Sequence, residues 1–311
     1  MELIPLDFNA HLTATIKAVD VVLLDLFGSQ PLPGELERPD RVVEAMRYAA
    51  LAGGKRLRPF LVIETAKLFG VEGQGVMRTG AALECVHCYS LVHDDLPAMD
   101  DDDLRRGQPT THKKFDEATA ILAGDALLTY AFDILADEPT HADAKVRVEL
   151  VKTLTRASGL GGMVGGQLLD LGAEGRFGDG RPQQLTDVEI LKLQAMKTGA
   201  LLLAGCQMGA IIAGASAADR ASLERYGRAL GQAFQIADDL LDEEADAAIV
   251  GKATGKDAAK GKGTLVRLWG KDAARKRLAE LVADAEGALS AFGDKADVLR
   301  EAARFVANRD R

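Results

Sequence analysis

The strongest constraint on this chain is its punctuation. Short Gly- and Pro-bearing breaks divide nearly the whole sequence into long stretches rich in Ala, Leu, Glu, Lys and Arg. These residues lose little rotamer freedom in a helix, and runs of the β-branched and aromatic residues that favour strands are scarce. Helices are predicted at about residues 7–27, 39–52, 57–69, 75–96, 116–136, 142–158, 162–171, 187–216 and 219–246, with one or two more towards the end. Thr186 with Glu189 three residues later has the pattern of a capping box opening the helix at Asp187. No compositional shift or internal repeat divides the 311 residues, and an apolar fraction of 47% supplies a sizeable core. The fold class expected is all-α, a single helical bundle over residues 1–311.

Charge narrows the function. A net charge of -9 argues against a general nucleic-acid binder. The stretch from Gly199 to Ala218 is apolar, but Ala/Gly-rich and interrupted by Gln207, so it reads as a buried bundle helix and not a membrane span. Cys85, Cys88 and Cys206 are too few for a disulfide framework and are read as core thiols. The opening MELIPLDFNAHL has no basic region leading into an apolar run, so a reducing cytoplasm is the expected location.

Against this background, DDLPAMDDDDLRRG concentrates six aspartates within ten residues and then reverses sign. Like charges this close repel, so a bound cation is the natural explanation. Pro97 should end the helix that precedes it and let Asp100 return towards Asp94. A second acidic group, Asp238-Asp239-Leu240-Leu241-Asp242, places Asp238 and Asp242 one helical turn apart on one face. Neither cluster has the spacing of a calcium loop, and the imidazoles and thiols that zinc prefers are not among the carboxylates. Mg²⁺ suits better, since it takes one or two carboxylates and completes its shell with water and phosphate.

Basic residues complement the carboxylates. Gly53-Gly54-Lys55-Arg56-Leu57-Arg58-Pro59 puts three cations and a helix start after two glycines, a candidate anion site. Arg105 and Arg106 follow the first acidic group, Lys197-Thr198 lie further on, and lysines 252, 256, 260 and 262 populate a glycine-rich segment. There is no Walker-type phosphate loop, no dinucleotide fingerprint and no nucleophile elbow.

Taken in order, GGKRLRP, DDLPAMDDDDLRRG, GDALL, KTG and FQIADDLLD resemble the trans-type isoprenyl diphosphate synthases, over roughly residues 40–265. The short-chain bacterial enzymes that form farnesyl diphosphate are the most similar group. The resemblance implies an isoprenoid-synthase bundle around a deep central cavity, a homodimer, and diphosphate substrates. It implies three Mg²⁺ ions per active site, with Mn²⁺ as an alternative, held by Asp94, Asp95, Asp100, Asp238 and Asp242. Arg105, Lys197, Lys252 and Lys262 match positions that grip the allylic diphosphate, and Lys55, Arg58, His87 and Arg106 match the metal-free site for isopentenyl diphosphate. Thr198 and Gln235 match residues facing the carbocation, and Tyr89 and Ser90 match positions that set chain length. Asp101, Asp102 and Asp103 receive no role. Where the family commonly has Gly-Asp after the second motif, this chain has Glu243-Glu244, which continues the helix. Geranyl or geranylgeranyl diphosphate synthesis shares every catalytic residue. A terpene cyclase lacks the isopentenyl diphosphate site, and a non-catalytic subunit would have lost carboxylates.

Overall fold

The structure is a computed structural model that describes residues 8–250 and 264–308. Among these the architecture is all-α apart from one two-stranded hairpin, and the chain divides into two compact units, Met1–Lys152 with Ile211–Gly214, and Thr153–Ala210 with Ala215–Arg311.

In the first unit the helices are α1 (Phe8–Leu26), α2 (Asp40–Leu51), α3 (Leu57–Lys67), α4 (Gln74–Asp94), the one-turn α5 (Thr111–Lys114), α6 (Glu117–Ala136) and the start of α7 (Ala144–Ser158). Helix α4 is the axis of this unit. It is apolar on nearly every side, as a helix surrounded by others must be, and buries Ala81, Ala82, Leu83, Cys85, Val86, Cys88 and Val92 against α3 and α6. Each large aliphatic side chain fully buried in such a core is worth about 1.5–3 kcal/mol. Two glycines let the helices close. A Cβ at Gly80 would press on Pro59 at 3.2 Å, and one at Gly124 would overlap the His93 ring. Helix α6 starts where Asp116 accepts the Thr119 N–H at 2.7 Å, a side-chain cap for one of the helix's unpaired donors.

The second unit contains α8 (Met163–Ala173), α9 (Asp187–Gln194), a π-helical turn (Ala195–Gly199), α10 (Ala200–Ile212), α11 (Ala217–Val250), α12 (Leu265–Trp269), α13 (Lys271–Ala288), a 3₁₀ segment (Ser290–Ala296) and α14 (Asp297–Asn308). The capping box at Thr186 and Glu189 is present, with both of its hydrogen bonds made. The 34-residue α11 packs on α13, α14 and the π turn, and continues through Glu243-Glu244 as the sequence indicated. Gly227 and Gly231, one turn apart, permit the approach: a Cβ at Gly231 would meet the Gly199 Cα at 3.1 Å. Tyr226 is fully buried and its hydroxyl donates to the Leu299 carbonyl at 2.7 Å, so α14 is held by a polar bond as well as by packing.

Three local readings are corrected. The helix expected over 187–216 is broken by the π turn, and the hairpin and α5 between residues 104 and 114 had no counterpart in the predicted elements. Among the described residues, three α-helices and a 3₁₀ segment follow α11, and not one or two helices. The apolar segment after Gly199 buries Leu201, Leu202, Ala204, Cys206, Met208 and Ala210. Both α6 and the stretch Asp187–Ile212 are long and apolar enough to cross a membrane, and about half of each is buried within the protein instead (44% and 56%). Cys85, Cys88 and Cys206 are buried free thiols, and burial pushes Cys88 up to about 12, which suits core packing and not redox chemistry.

Candidate active site

Helix α4 stops at Asp94, just ahead of Pro97, which cannot donate to a helical carbonyl. The chain turns back at once: the Asp100 N–H donates to the Asp94 carbonyl at 2.8 Å, and that of Asp101 to the Leu96 carbonyl at 3.2 Å. Asp100 therefore does return to Asp94, as the position of Pro97 indicated. Asp95 is buried and grips Arg105, whose Nε and Nη2 lie 2.7 and 2.6 Å from one carboxylate oxygen. Burial pushes the Asp95 carboxyl above its ordinary range, while the Arg105 hydrogen bond pulls the other way.

Arg105 stands where it does because of the hairpin. Strand β1 (Leu104–Arg105) pairs antiparallel with β2 (Gln108–Pro109), with Arg105 opposite Gln108. The connecting pair Arg106-Gly107 has positive φ at both positions (53° and 78°), the signature of a tight two-residue hairpin turn. The aspartates left without a role help build this element. Thr110 donates through its hydroxyl to the Asp102 carbonyl at 2.8 Å, and the Asp103 carboxylate pairs with Lys113 at 2.8 Å. With Arg105 on the strand and Arg106 in the turn, the two arginines leave for different partners. Arg105 meets Asp95, and Arg106 donates to the Gly53 carbonyl.

That second contact explains the glycine pair. Gly53 and Gly54 have φ of 86° and 129°, and a Cβ at Gly54 would lie 2.6 Å from the Arg106 Nη1. Lys55 is exposed and Arg58 half-buried, but Arg56 departs from expectation. Counted by sequence among the cations of an anion site, it is 3% exposed and turned inward to Glu84 and Asp20. His87, one turn beyond Glu84 on α4, keeps a partly solvent-reached edge, yet its protonation is strongly suppressed. Loss of hydration is the main cause, followed by the guanidiniums of Arg58, Arg106, Arg56 and Arg105. The Arg58 and Arg106 guanidiniums lie within electrostatic reach of His87, and they are groups that an anion beside that imidazole could meet.

In α4 itself, Tyr89 is buried, with its ring edge-on to His93 at 5.8 Å, and burial raises its hydroxyl to about 12, with the Asp94 charge adding. Ser90 donates to the His87 carbonyl at 2.8 Å.

The second unit carries its own polar set. Lys197 and Thr198 lie in the π turn, a helix irregularity common at functional sites. The Lys197 ammonium donates to Asp170 of α8 at 2.6 Å, and Gly166 admits the π-turn backbone where any Cβ would clash. Gln235 and Asp238 are half-buried on α11, and Asp242 is exposed one turn along. Asp239 accepts from the Gln194 amide at 3.0 Å; burial, with added repulsion from Asp238 and Asp242, pushes its carboxyl up to about 6. Lys252 and Lys262 fall outside the described residues.

Asp170 was missed by the sequence reading, though a signal existed. A lone carboxylate within the apolar helix MVGGQLLDLGA needs a cation if that face is buried. Asp239 and Gln194 had no such signal, because their pairing joins residues 45 apart. Among the described residues, no three His, Cys, Asp or Glu side chains gather into a closed metal cage. The acidic donors are all carboxylate oxygens, which fits a hard cation that draws its remaining ligands from water and phosphate.

The model of the polyprenyl synthetase family matches residues 39–296, through both units. The chain belongs to the polyprenyl synthetase family. Among relatives of this synthetase, the farnesyl diphosphate synthase of Escherichia coli (strain K12) is 44% identical over 98% of this chain and 100% of its own. The geranylgeranyl diphosphate synthase of Cyanophora paradoxa is 40% identical over 88% of this chain and 89% of its own. The apo crystal structure of a FPP/GFPP synthase from Zymomonas mobilis has a TM-score of 0.85 and 42% identity, covering 97% of this synthetase and 99% of that chain.

Proposed function

We propose that this polyprenyl synthetase joins isopentenyl diphosphate head-to-tail to dimethylallyl and then geranyl diphosphate, releasing diphosphate and yielding farnesyl diphosphate. The observation that carries this reading is the group of guanidiniums within electrostatic reach of His87, separate in chemistry from the carboxylate clusters: one set suited to an anion, the other to a cation. Lys55, Arg58, Arg106 and His87 would hold isopentenyl diphosphate directly, their charge and hydrogen-bond donors matching its oxygens. Asp94, Asp95, Asp100, Asp238 and Asp242 would hold Mg²⁺, in three ions by the family pattern, with Mn²⁺ able to substitute. When bound, the metal supplies charge neutralisation to the departing diphosphate.

This chain's own residues do the rest. Arg105, Lys197, Lys252 and Lys262 orient the allylic diphosphate so that its C–O bond can ionise. Thr198 and Gln235 present oxygen dipoles to the allylic cation, where preorganised polarity acts most strongly. The π bond of isopentenyl diphosphate then attacks C1 of that cation, and the proton lost from the new chain passes to the released diphosphate. Tyr89 and Ser90 would bound the growing chain. Both units would act as one catalytic domain, since the family model runs through both. A cytoplasmic homodimer is the assembly we infer, in keeping with the adjacent exposed Ile121 and Leu122 on α6.

A longer product is the second reading, favoured by relatives named as geranylgeranyl diphosphate and FPP/GFPP synthases. Incubation with isopentenyl diphosphate, Mg²⁺ and separate C5, C10 and C15 primers decides between them. Farnesyl diphosphate from the two shorter primers is the expected product, and Tyr89→Ala should extend it. Elongation of the C15 primer by the unaltered protein would overturn the farnesyl assignment, and failure with every primer would overturn the enzyme.

A further inference from the structure

The residue of the basic segment that turned inward is held by three separate helices. Arg56 is a non-glycine residue with φ of 45°, left-handed backbone that L side chains adopt only when something compels it. What compels it is the guanidinium. Its Nε donates to Asp20 of α1 at 2.9 Å and its Nη1 to Glu84 of α4 at 2.7 Å. Its Nη2 donates to the Ala50 carbonyl at 2.5 Å, in the last turn of α2, where helical carbonyls lack internal partners. One planar fork thus ties three helices to the loop between α2 and α3. Burial opposes its charge, but the Glu84 and Asp20 carboxylates outweigh that and hold the guanidinium firmly protonated.

We propose that Arg56, clamped by Glu84 and Asp20, is a positioning residue that aims Lys55 and Arg58 at isopentenyl diphosphate without touching it. The inference rests on the isopentenyl diphosphate site proposed above. Lys55 and Arg58 flank Arg56 in the chain, so the left-handed turn at Arg56 sets the directions in which both leave the backbone. Glu84 and His87 share α4 one turn apart, so the same helix anchors the clamp and presents the imidazole. When the clamp's carboxylate charge is lost, the backbone at Arg56 is free to relax to its ordinary right-handed form, and both cations swing away.

The test is steady-state kinetics on Glu84→Gln, with Asp20→Asn and Lys55→Ala alongside. Glu84→Gln keeps the side chain's shape and is expected to raise KM for isopentenyl diphosphate roughly tenfold, with kcat and KM for geranyl diphosphate within about twofold. A general loss of packing would move all three constants or none. Asp20→Asn sits at the solvent side of the clamp and keeps the measurement possible if Glu84→Gln does not fold; about a threefold rise in the same KM is expected. Lys55→Ala separates the two levels of the argument. If it raises KM for isopentenyl diphosphate while the clamp variants leave it unchanged, the positioning role falls and the site stands. If Lys55→Ala itself leaves that KM unchanged, the site reading falls and the clamp's purpose with it.

Discussion

The two Asp-rich regions reach a similar chemical composition by opposite structural means. In the first, Asp94 closes α4 and Asp100 lies six residues on, beyond Pro97, returned by a backbone hydrogen bond of 2.8 Å in a loop. In the second, Asp238 and Asp242 lie within the long helix α11, and helical periodicity alone aligns them. The surrounding polarity differs too. Asp95 is answered by Arg105 at 2.6 Å, whereas Asp239 is answered by neutral donors, the Gln194 amide and the Leu265 backbone N–H, and is pushed up to about 6. A loop can adjust its path; a helix cannot change its angular spacing. The first region therefore depends on turn chemistry and ion pairing, and the second on strict register.

The largest effects come from removing a carboxylate from either region. Asp94→Ala and Asp238→Ala are each expected to lower kcat by roughly 1,000-fold, the scale of losing several kcal/mol of charge stabilisation. Circular dichroism should remain unchanged, since both side chains are only half-buried and neither belongs to the apolar core. Near-normal turnover in either variant would remove that residue from the proposed metal site.

A smaller effect sharpens the contrast between loop and helix. One alanine inserted between Leu240 and Leu241 rotates Asp242 by about 100° relative to Asp238. Turnover should fall by about 100-fold or more. The same insertion between Ala98 and Met99 falls in the loop, where the path can adapt, and should cost no more than about tenfold. Equal losses in a single-turnover assay would show the two regions to be equally rigid and would break the comparison.

The smallest effect concerns the scaffold under the first region. The Thr119 backbone N–H, with the Arg41 side chain and Thr119 hydroxyl adding, lowers the Asp116 carboxyl from 3.8 to about 2. A carboxyl depressed on folding contributes stability above its unfolded pKa and loses it as pH falls through the folded one. Asp116→Asn should therefore lower Tm by a few degrees at neutral pH, with the deficit disappearing between about pH 4 and pH 2. A deficit that persists unchanged at pH 2 would show that the aspartate's charge is irrelevant to the cap.

Much of this molecule is legible in its residues. The helical segments, the capping box at Thr186, the break at Pro97 and the burial of the apolar stretch after Gly199 follow from interactions between near neighbours in the chain. Such interactions depend on spacing and residue type, and both are written in the sequence. The same is true of the ordered motifs that carry the family resemblance, since diphosphate chemistry restricts which side chains can serve it.

Other features depended on packing between distant segments. Arg56 looks like its neighbours Lys55 and Arg58 until α1 and α4 bring carboxylates 36 and 28 residues away to its side. Lys197 meets Asp170 across 27 residues, and Arg106 lies on Gly54 only because a two-residue hairpin points it there. The π turn leaves no mark in a helical pattern, since one widened turn preserves both composition and approximate period. By itself the sequence determined most of the helical segments and which chemistry they carry. Only the tertiary structure decided which charges are neutralised inside the protein and which remain to meet a ligand, because a charge is paired or unpaired through space and not along the chain.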